Sequence, residues 1–363
     1  MDRTKLQQTA AKQLADCGRL LCCWATGTGK SGIVIEYIKA YSPKNTLIVV
    51  PEQDNIKNWQ GEFTKFCLPS DSITVICYAS LHKYMNTHWD LLVLDEVPHI
   101  DTIKRLGCCS TMTAENVLAL GAVVSDEEKA ALESMFGEFK TDTISLSSAI
   151  DFGILPKPDV RILHLKMNNT DKTIRYNGKL VTEQQRYDAI NERLEKAKEK
   201  YASNPCMYTQ QEMFRVGNLR KRFLGQLKDE KLKQVCEKLT ARNKRFLCFC
   251  SSIQQAELIG GDHAYTSKTP ANAKLLDRFN NHEIDSLYVV GKLIEGQTLN
   301  DIDTGVITQL GGKNRITVQS IGRILRSKNP LVYVLVFDNT QDDNFLTTVT
   351  GNIPEGYIKH YNF

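Results

Sequence analysis

The chain has 363 residues, a length that fits two ordinary domains better than one. Hydrophobic residues make up 42% and charged residues 24% of the chain, so disordered, collagen-like and coiled-coil proteins are excluded. The formal net charge of +4 does not by itself separate a nucleic-acid-binding protein from a metabolic enzyme. The local distribution of charge has to decide between these two classes.

Hydropathy along the chain bears on its compartment. No apolar run approaches the roughly 18 residues that a membrane span needs. The N-terminus is polar from its first residues, unlike a secretory signal. We therefore expect a soluble, intracellular protein.

Eleven cysteines raise the question of disulfides or a metal site. Several lie within apolar, strand-like stretches, namely Cys22, Cys23, Cys77, Cys248 and Cys250. We expect these to be reduced residues of the protein core. A zinc or iron-sulfur site is not expected, because the sequence contains no C-x2-C or H-x3-H pair.

Short apolar runs recur along both halves of the chain, separated by segments of helical length. In the first half they are residues 20–25, 46–50, 73–77 and 91–94. In the second half they are residues 246–250, 286–290, 304–308 and 331–337. Such runs are typical of parallel strands buried on both faces, so the sequence predicts an α/β fold in two halves.

The middle of the chain has a different pattern. Residues 183–200 and 219–242 are charged, rich in good helix formers and free of proline, which predicts helices. The stretch Gly153–Asp159 holds two prolines and a glycine and is interpreted as the connection between the halves. The predicted domains are therefore residues 1–153 and 154–363, the second with a helical insertion at about 170–235.

The first apolar run leads directly into Ala25-Thr-Gly-Thr-Gly-Lys-Ser31, which a helical pattern follows. Strand, glycine loop and helix are the context that a phosphate-binding loop requires. Backbone N–H groups around Thr26, Gly27, Thr28 and Gly29 would approach the phosphates. Lys30 would reach the β and γ phosphates, and the Ser31 hydroxyl would hold Mg2+. The first glycine of the usual loop pattern is replaced by Trp24.

Two adjacent acids follow a later apolar run. Asp95 and Glu96 come directly after residues 91–94, so they are predicted at the carboxyl edge of the sheet, beside the glycine loop. Asp95 can hold Mg2+, and Glu96 can orient or deprotonate the water that attacks a γ phosphate. Alone, the dipeptide would also fit a solvated turn.

A third group lies near the end of the second half, in Gln319-Ser-Ile-Gly-Arg-Ile-Leu-Arg326. Gln319, Arg323 and Arg326 are spaced i, i+4 and i+7 and would share one face of a helix. Planar guanidinium groups suit the charge that develops on a transferring phosphoryl group. A basic surface face is the alternative.

Together, the glycine loop, the Asp-Glu strand and Q-x-x-G-R-x-x-R resemble the motifs of superfamily 2 helicases and translocases. The resemblance spans most of the chain and implies two tandem RecA-like P-loop domains with ATP bound between them. It implies that Gln7, in Leu6-Gln-Gln-Thr-Ala10, reads the adenine base, and that Gly296 approaches the nucleotide. It also implies that Arg323 and Arg326 complete the nucleotide site and that Gln319 contributes to it.

Further matches to this family imply contacts with nucleic acid. They place Pro51, Ser80, Ser251 and Thr298 at the nucleic-acid-binding surface. Ser110-Thr-Met-Thr113 is similar to the motif that links hydrolysis to strand movement. Motif II reads Asp-Glu-Val-Pro-His, so His99 stands one place later than the histidine of the family pattern, and Pro98 stands in its place.

Residues 219–245 are strongly basic, with ten lysines or arginines against three acids. The basic residues are Arg220, Lys221, Arg222, Lys228, Lys231, Lys233, Lys238, Arg242, Lys244 and Arg245. This segment is predicted to bind a polyanion independently of its sequence. A solvated helix face is the preferred interpretation for Lys231 and Lys238. Phe214, Phe223 and Leu224 are predicted to pack internally.

These observations predict an ATP- and Mg2+-dependent helicase or translocase that acts on nucleic acid, with DNA favoured over RNA by family likeness. The small size suggests a virus-encoded or minimal enzyme. One alternative is a single-core P-loop kinase whose second half binds a small-molecule substrate. The other is a nucleic-acid clamp that binds ATP without turning it over.

Overall fold

A computed structural model of the protein describes most of the chain, and the descriptions that follow concern that part alone. The described residues are 2–68, 70–100, 107–269, 272–290, 299, 301–308, 310, 324, 327–351 and 353–363. They form two compact units. The first contains Met1–Lys157, and the second begins at Pro158 and contains most of the described residues that follow.

The first unit is built on a parallel sheet. Its strands are β1 (Arg19–Trp24), β2 (Thr46–Val50), β3 (Ile73–Cys77), β4 (His88–Leu94), β5 (Thr113–Gly121) and β6 (Lys140–Ile144). Among the described residues the strand order is β3-β2-β4-β5-β1-β6, so β5 lies between β1 and β4. Because all these strands are parallel, the segments that follow β1 and β4 emerge at the same edge of the sheet.

Helices cover the sheet of the first unit. They are Arg3–Cys17, Ser31–Tyr41, Gln53–Phe66, Asp126–Phe136 and Leu146–Asp151. Short 3-10 turns are Ser70–Ser72, Tyr78–Tyr84 and Val97–Ile100. The central strands bury apolar side chains on both faces, as Leu47 and Ile48 of β2 and Leu92 and Val93 of β4 show. This double burial is what produces their continuous apolar runs.

The second unit also has a parallel sheet. Its strands are β7 (Asp159–Leu165), β10 (Phe246–Cys250), β11 (Ala264–Tyr265), β12 (Ser286–Val290), β13 (Thr304–Ile307), β14 (Leu331–Phe337) and β15 (Ile358–Asn362). The described strands are ordered β11-β12-β10-β13-β14-β7-β15. An antiparallel hairpin of β8 (Ile174–Tyr176) and β9 (Lys179–Val181) stands apart from this sheet.

Helices follow the hairpin, as the charged segments in the middle of the chain predict. The first two helices are Glu183–Ser203 and Met207–Leu227, and they lead into Asp229–Ala241. The other helices described in this unit are Ile253–Gly260, Asn272–Asn280 and Gln341–Thr350. Short 3-10 turns lie at Gly261–His263 and Glu355–Tyr357. Thr182 starts the first insertion helix with a capping box, in which its hydroxyl accepts from the Gln185 N–H and the Gln185 side chain accepts from the Thr182 N–H.

A buried ion pair fixes the insertion to the sheet of the second unit. Lys228 joins the helices Met207–Leu227 and Asp229–Ala241, and its ammonium lies 2.7 Å from the Asp342 carboxylate. Both side chains are 1% exposed. Lys228 also donates to the carbonyl of Thr308, and the Asp342 carboxylate accepts from the Phe337 N–H. The insertion is therefore held at the edge of the sheet where β13 and β14 end.

The strands predicted from apolar runs are confirmed, five of them with the same bounds. Strands without such a run were not predicted, and β6 is an example. Its sequence, Lys-Thr-Asp-Thr-Ile, is polar because β6 lies at the edge of the sheet and exposes most of its side chains. The helix predicted over residues 219–242 proves to be two helices, divided at Lys228.

The assignment of Ser110–Thr113 to the motif that links hydrolysis to strand movement is wrong. Thr113 begins β5 and pairs with His88 at the start of β4, so this segment lies at the amino edge of the sheet. A motif acting beside the glycine loop must lie at the carboxyl edge. Gly121, which ends β5, lies at that edge close to Pro98.

The cysteines of the apolar stretches are free thiols, as predicted. Cys22, Cys77, Cys248 and Cys250 are buried, and Cys23 is partly buried. Within the described part of the chain, no helix combines the length and apolar character that a membrane crossing demands.

We predict that Lys228→Met lowers the free energy of unfolding by about 3 to 5 kcal/mol, because it leaves the Asp342 carboxylate buried without its cation. Lys231→Met is the matched control, since Lys231 is only partly buried and lies over the Phe363 ring. The control should cost less than about 1 kcal/mol. Urea denaturation followed by circular dichroism measures both, and equal losses would contradict a structural role for the buried pair.

Candidate active site

The glycine loop has the backbone shape of an anion-binding site. It runs from β1 to the helix Ser31–Tyr41, and Gly27 and Gly29 adopt left-handed φ angles of 89° and 90°. Residues with side chains rarely adopt this conformation, which explains the glycines. Successive N–H groups in such a loop, at the start of a helix, form a concave surface of positive partial charge.

Hydrogen bonds hold the loop to the strands beneath it. The hydroxyl of Thr28 donates to the Ala25 carbonyl at 2.7 Å, and the Ala25 N–H donates to the Ile144 carbonyl at 2.8 Å. The Lys30 ammonium donates to the Trp24 carbonyl at 3.0 Å. Trp24, which replaces the usual first glycine, is buried and contributes to the loop through this backbone oxygen.

Gln7 lies against the glycine loop. Its side-chain amide donates to the Gly29 carbonyl at 2.7 Å. A methyl group added at Gly32 would overlap the Gln7 amide, and one added at Gly29 would lie 2.6 Å from its nitrogen. The small size of both glycines therefore allows the helix Arg3–Cys17 to bring Gln7 onto the loop.

Asp95 lies at the same edge of the sheet, where it is held by two aromatic residues. The Trp59 indole N–H donates to the Asp95 carboxylate at 3.2 Å. The Tyr78 hydroxyl donates to the Asp95 carbonyl at 2.9 Å. The Asp95 N–H donates to the Val49 carbonyl at 2.9 Å, which continues the pairing of β4 with β2. The carboxyl group therefore has a fixed position.

The electrostatics of Asp95 are unusual for an aspartate. Burial, followed by the neighbouring charge of Glu96, raises the pKa of Asp95 to about 6 from its ordinary 3.8. The Trp59 hydrogen bond and the charge of Lys30 oppose this rise in pKa. The charge of Lys30 therefore acts on the Asp95 carboxyl group from the neighbouring glycine loop. A cation bound there would favour the ionised form of Asp95.

Two polar atoms at this edge are buried and have no hydrogen-bond partner among the described residues. They are the Oε2 atom of Glu96 and the hydroxyl of Thr26. Glu96 also has a left-handed φ of 50°, which is uncommon for a residue with a side chain. Buried polar atoms are normally paired, so unpaired ones at a site indicate a place for a ligand, an ion or water.

The donor set fits a nucleotide with Mg2+. The loop offers backbone N–H groups and the ammonium of Lys30 to phosphate oxygens. The Ser31 hydroxyl and the Asp95 carboxylate are oxygen ligands of the kind that Mg2+ prefers. Glu96 supplies a second carboxylate with an unpaired oxygen. The structure therefore brings together Gln7, the loop from Thr26 to Ser31, Asp95 and Glu96.

Three of the four residues predicted to contact nucleic acid lie at the carboxyl edges of the sheets. Pro51 directly follows β2, Ser80 lies in the 3-10 turn after β3, and Ser251 directly follows β10. The other predicted site residues lie outside the described residues, and they are Gly296, Thr298, Gln319, Arg323 and Arg326.

Sequence reasoning did not identify Trp59 and Tyr78 as partners of Asp95. Both are aromatic residues with a polar hydrogen. Trp59 lies in the helix after β2, which pairs with β4, and Tyr78 directly follows β3, the strand beyond β2. That combination was the available signal, because a buried Trp or Tyr normally finds a hydrogen-bond acceptor. Only the strand order shows that this acceptor is Asp95.

The basic segment 219–245 requires a correction. Lys228 and Arg245 are buried, Lys228 in its ion pair with Asp342 and Arg245 in hydrogen bonds to the carbonyls of Phe279 and Ile284. Neither side chain can reach a phosphate, because both are buried and bound to groups inside the second unit. Lys231 is partly buried and Lys238 is exposed, which agrees with the solvated helix face predicted for them, and both ammonium groups lie over the Phe363 ring.

A group of possible metal ligands lies at the opposite, amino edge of the first sheet. Ligand atoms of His88, Asp90 and Glu115 lie within 4.8 Å of one another. Internal contacts already engage two of them, because His88 Nδ1 contacts the Thr113 hydroxyl and the Asp90 carboxylate accepts from the Lys44 N–H. These three residues therefore lie at the edge of the sheet opposite the glycine loop.

We predict that Asp95→Asn stabilises the protein relative to the wild type at pH 8 but not at pH 4. The folded-state pKa of Asp95 lies above the ordinary value, so wild-type stability falls as the pH rises from about 4 through 6. Asparagine avoids this loss, which amounts to up to about 3 kcal/mol, and it can still accept from Trp59. Urea denaturation across this pH range, with exposed Asp16→Asn as the control, measures the difference. A pH-independent difference between Asp95→Asn and the wild type would contradict the prediction.

Known proteins resemble this chain in part of its sequence and in its fold. Residues 2–122 match the family described as type III restriction enzyme, res subunit. The Hef helicase domain of Pyrococcus furiosus is similar in structure, with 12% identity, a TM-score of 0.58, and coverage of 94% of this chain and 96% of that chain. A variant of S. cerevisiae Dbp5, bound to a Gle1 variant and IP6, is similar with 13% identity, a TM-score of 0.57, and coverage of 99% of this chain and 88% of that chain.

No curated protein matches the chain by sequence. The structural likenesses cover nearly the whole chain and confirm the predicted fold, in which parallel sheets flanked by helices match tandem RecA-like domains. The match of residues 2–122 and the shared fold agree with the predicted resemblance to superfamily 2 helicases and translocases.

Proposed function

We propose that the protein is a nucleic-acid-dependent ATPase of the helicase or translocase type. The observation that supports this most directly is the convergence of the Lys30 loop with Asp95 and Glu96 at one sheet edge. DNA is the favoured substrate, because residues 2–122 match the res subunit of a type III restriction enzyme. Hydrolysis of ATP would drive movement along a strand or its unwinding.

Each residue of the site has a role that follows from its chemistry. The N–H groups around Gly27 and Gly29 hold phosphate oxygens, and Lys30 leaves the Trp24 carbonyl to contact the β and γ phosphates. Ser31 and Asp95 hold Mg2+, which neutralises phosphate charge when bound. Glu96, with its unpaired Oε2, orients or deprotonates the attacking water. Gln7 reads the adenine from its position on the loop.

The raised pKa of Asp95 couples this site to its cations. Burial makes the ionised carboxylate costly, and positive charge beside it lowers that cost. Lys30 supplies part of that charge, and Mg2+ supplies more when it binds. Trp59 and Tyr78 keep the carboxyl group in place while its charge changes, which limits the reorganisation needed on binding.

Residues of the second half of the chain are proposed to complete the nucleotide site. Arg323 and Arg326 stabilise the charge on the γ phosphate as it is transferred, Gln319 supports them, and Gly296 approaches the nucleotide. This assignment rests on the family resemblance, since the four residues lie outside the described part of the chain. Pro51, Ser80, Ser251 and Thr298 contact the nucleic-acid strand.

The two alternatives make different demands on the protein. A P-loop kinase would transfer phosphate to a small molecule and would not need Arg326. A clamp that binds ATP without turnover would not need Glu96 in its position after β4. Lys30, Asp95 and Glu96 form the set that hydrolysis requires, so the ATPase is favoured over the clamp.

The test is steady-state ATP hydrolysis by the full chain, alone and with single-stranded or duplex DNA or RNA. We expect hydrolysis that nucleic acid stimulates and that Lys30→Ala abolishes. Phosphate transfer to a metabolite would support the kinase, and a complete lack of turnover would support the clamp. Helicase activity is then separated from translocation by strand displacement on a duplex with a single-stranded tail.

Arg326→Ala should reduce stimulated turnover at least about tenfold, because arginines in this role contribute roughly 10^3 to 10^5 to the rate. Arg278→Ala is the matched control, since Arg278 is an exposed arginine whose guanidinium lies 3.7 Å from Glu283. The comparison uses saturating ATP and nucleic acid. Near-normal turnover in Arg326→Ala would remove this arginine from the catalytic site.

A further inference from the structure

We propose that the helical insertion carries a binding pocket for a single nucleic-acid strand, formed by the helices Glu183–Ser203 and Met207–Leu227. The pocket deepens the proposed function, on which it rests, by adding a strand contact outside the sheet edges. Its ligand is an unpaired nucleotide with the phosphates beside it.

The pocket is concave and lined by both polar and apolar side chains. It has a volume of about 550 Å3, which lies within the range of small-ligand sites. Its chemically informative lining residues are Arg193, Gln211, Phe214, Arg215, Asn218 and Arg222. All six side chains are exposed, and no acidic residue lines the pocket among the described residues.

The charge of the pocket is positive and uncompensated. The helix Met207–Leu227 contains a single acid, Glu212, whose carboxylate lies 3.1 Å from the ammonium of Lys200. On the other helix, Glu192 and Glu195 pair with Lys196 and Lys198. No ion pair within the described chain involves Arg193, Arg215 or Arg222. Three guanidinium groups are therefore available to a polyanion.

The polar side chains of the second helix share one face. Gln211, Arg215, Asn218 and Arg222 follow a spacing of i, i+4, i+7 and i+11, which keeps them in line along the helix. Seven residues separate the two arginines, or about 10.5 Å along the helix axis. The amides of Gln211 and Asn218 lie in the same row and can bind base edges while the arginines bind phosphates.

Phe214 corrects an expectation from the sequence. It was predicted to pack internally, as Phe223 and Leu224 do, but its side chain is 58% exposed. The core between the two helices is formed instead by Ile190, Leu194 and Val216, with Met213, Leu219 and Phe223 packed against them. An exposed phenyl ring next to three arginines is the arrangement on which bases of a single strand stack.

This chemistry favours a nucleic-acid strand over an acidic peptide. Both would bind the arginines, but a carboxylate-rich peptide leaves the Phe214 ring and the two amides without matched partners. A nucleotide offers a phosphate, a flat apolar face and a polar edge, and the pocket has a group for each.

The pocket is also continuous with a residue already predicted to contact nucleic acid. Gly225, one turn beyond Arg222, packs against the Ser251 side chain. The Gln255 side chain accepts from the Ser251 N–H at 2.7 Å and donates to the Gly225 carbonyl at 2.8 Å. Through these contacts the pocket helix is fixed to the carboxyl end of β10, so a strand passing Ser251 meets the arginine row next.

The test measures binding of a fluorescein-labelled single-stranded DNA oligonucleotide to the full chain by anisotropy, without ATP. Arg215→Glu/Arg222→Glu should weaken binding at least about tenfold, because two phosphate contacts become repulsive. For Arg215→Gln/Arg222→Gln, the slope of log affinity against log salt should fall by about 1.4, at about 0.7 for each contact. These glutamine variants also serve if the charge reversals fail to fold.

The matched control is Lys140→Glu/Lys172→Glu, which makes the same change in net charge at exposed positions that do not line the pocket. It should bind the oligonucleotide nearly as the wild type does. Equal weakening by the control would mean that only net charge matters, and this outcome would overturn the proposal.

The role of Phe214 has its own readout. Phe214→Ala should weaken binding of the normal strand about fivefold or more, and it should leave binding of an abasic strand of equal length unchanged. Equal effects on the two strands, or displacement of DNA by polyglutamate at equal charge concentration, would overturn the nucleotide pocket. These measurements need no ATP turnover, so their outcome is independent of whether the protein proves to be an ATPase.

Discussion

The glycine loop that carries Lys30 and the carboxyl group of Asp95 lie at the carboxyl edge of the first sheet, with β5 between their strands. Parallel pairing enforces this arrangement, since β1 and β4 must end at the same edge. Burial raises the pKa of Asp95 to about 6, so its ionised form is costly, and a cation bound beside it lowers that cost. Hydrogen bonds from Gln7 to the glycine loop, and from Trp59 and Tyr78 to Asp95, hold the loop and Asp95 in place.

In the second unit, too, residues that directly follow the strands make the important contacts. Ser251 follows β10, Thr308 follows β13, and both take part in the hydrogen bonds that attach the insertion. Gln255 and the buried pair of Lys228 and Asp342 fix the insertion at this edge. Under the proposed function a rigid attachment matters, because a strand contact on a loose helix could not transmit a step.

Much of this was predictable from the sequence, for physical reasons that differ between elements. Central strands such as β2 are buried on both faces, so their apolar runs were visible and their bounds correct. Edge strands such as β6 are exposed and look like loops. The glycine loop was identified because its backbone shape constrains its residues. Tertiary packing, which local sequence patterns do not contain, determines the rest. It sets the partners of Asp95, the burial of Lys228 and Arg245, and the exposure of Phe214.

The most direct test of the central claim is equilibrium binding of ATP with Mg2+ to the full chain, measured by isothermal titration calorimetry. One ATP should bind per chain, and Lys30→Ala should weaken it at least about tenfold, as expected for the loss of a charge-assisted contact. Exposed Lys12→Ala should bind ATP as the wild type does. Equal ATP affinity in Lys30→Ala and the wild type would show that the edge formed by the loop and Asp95 is not the nucleotide site.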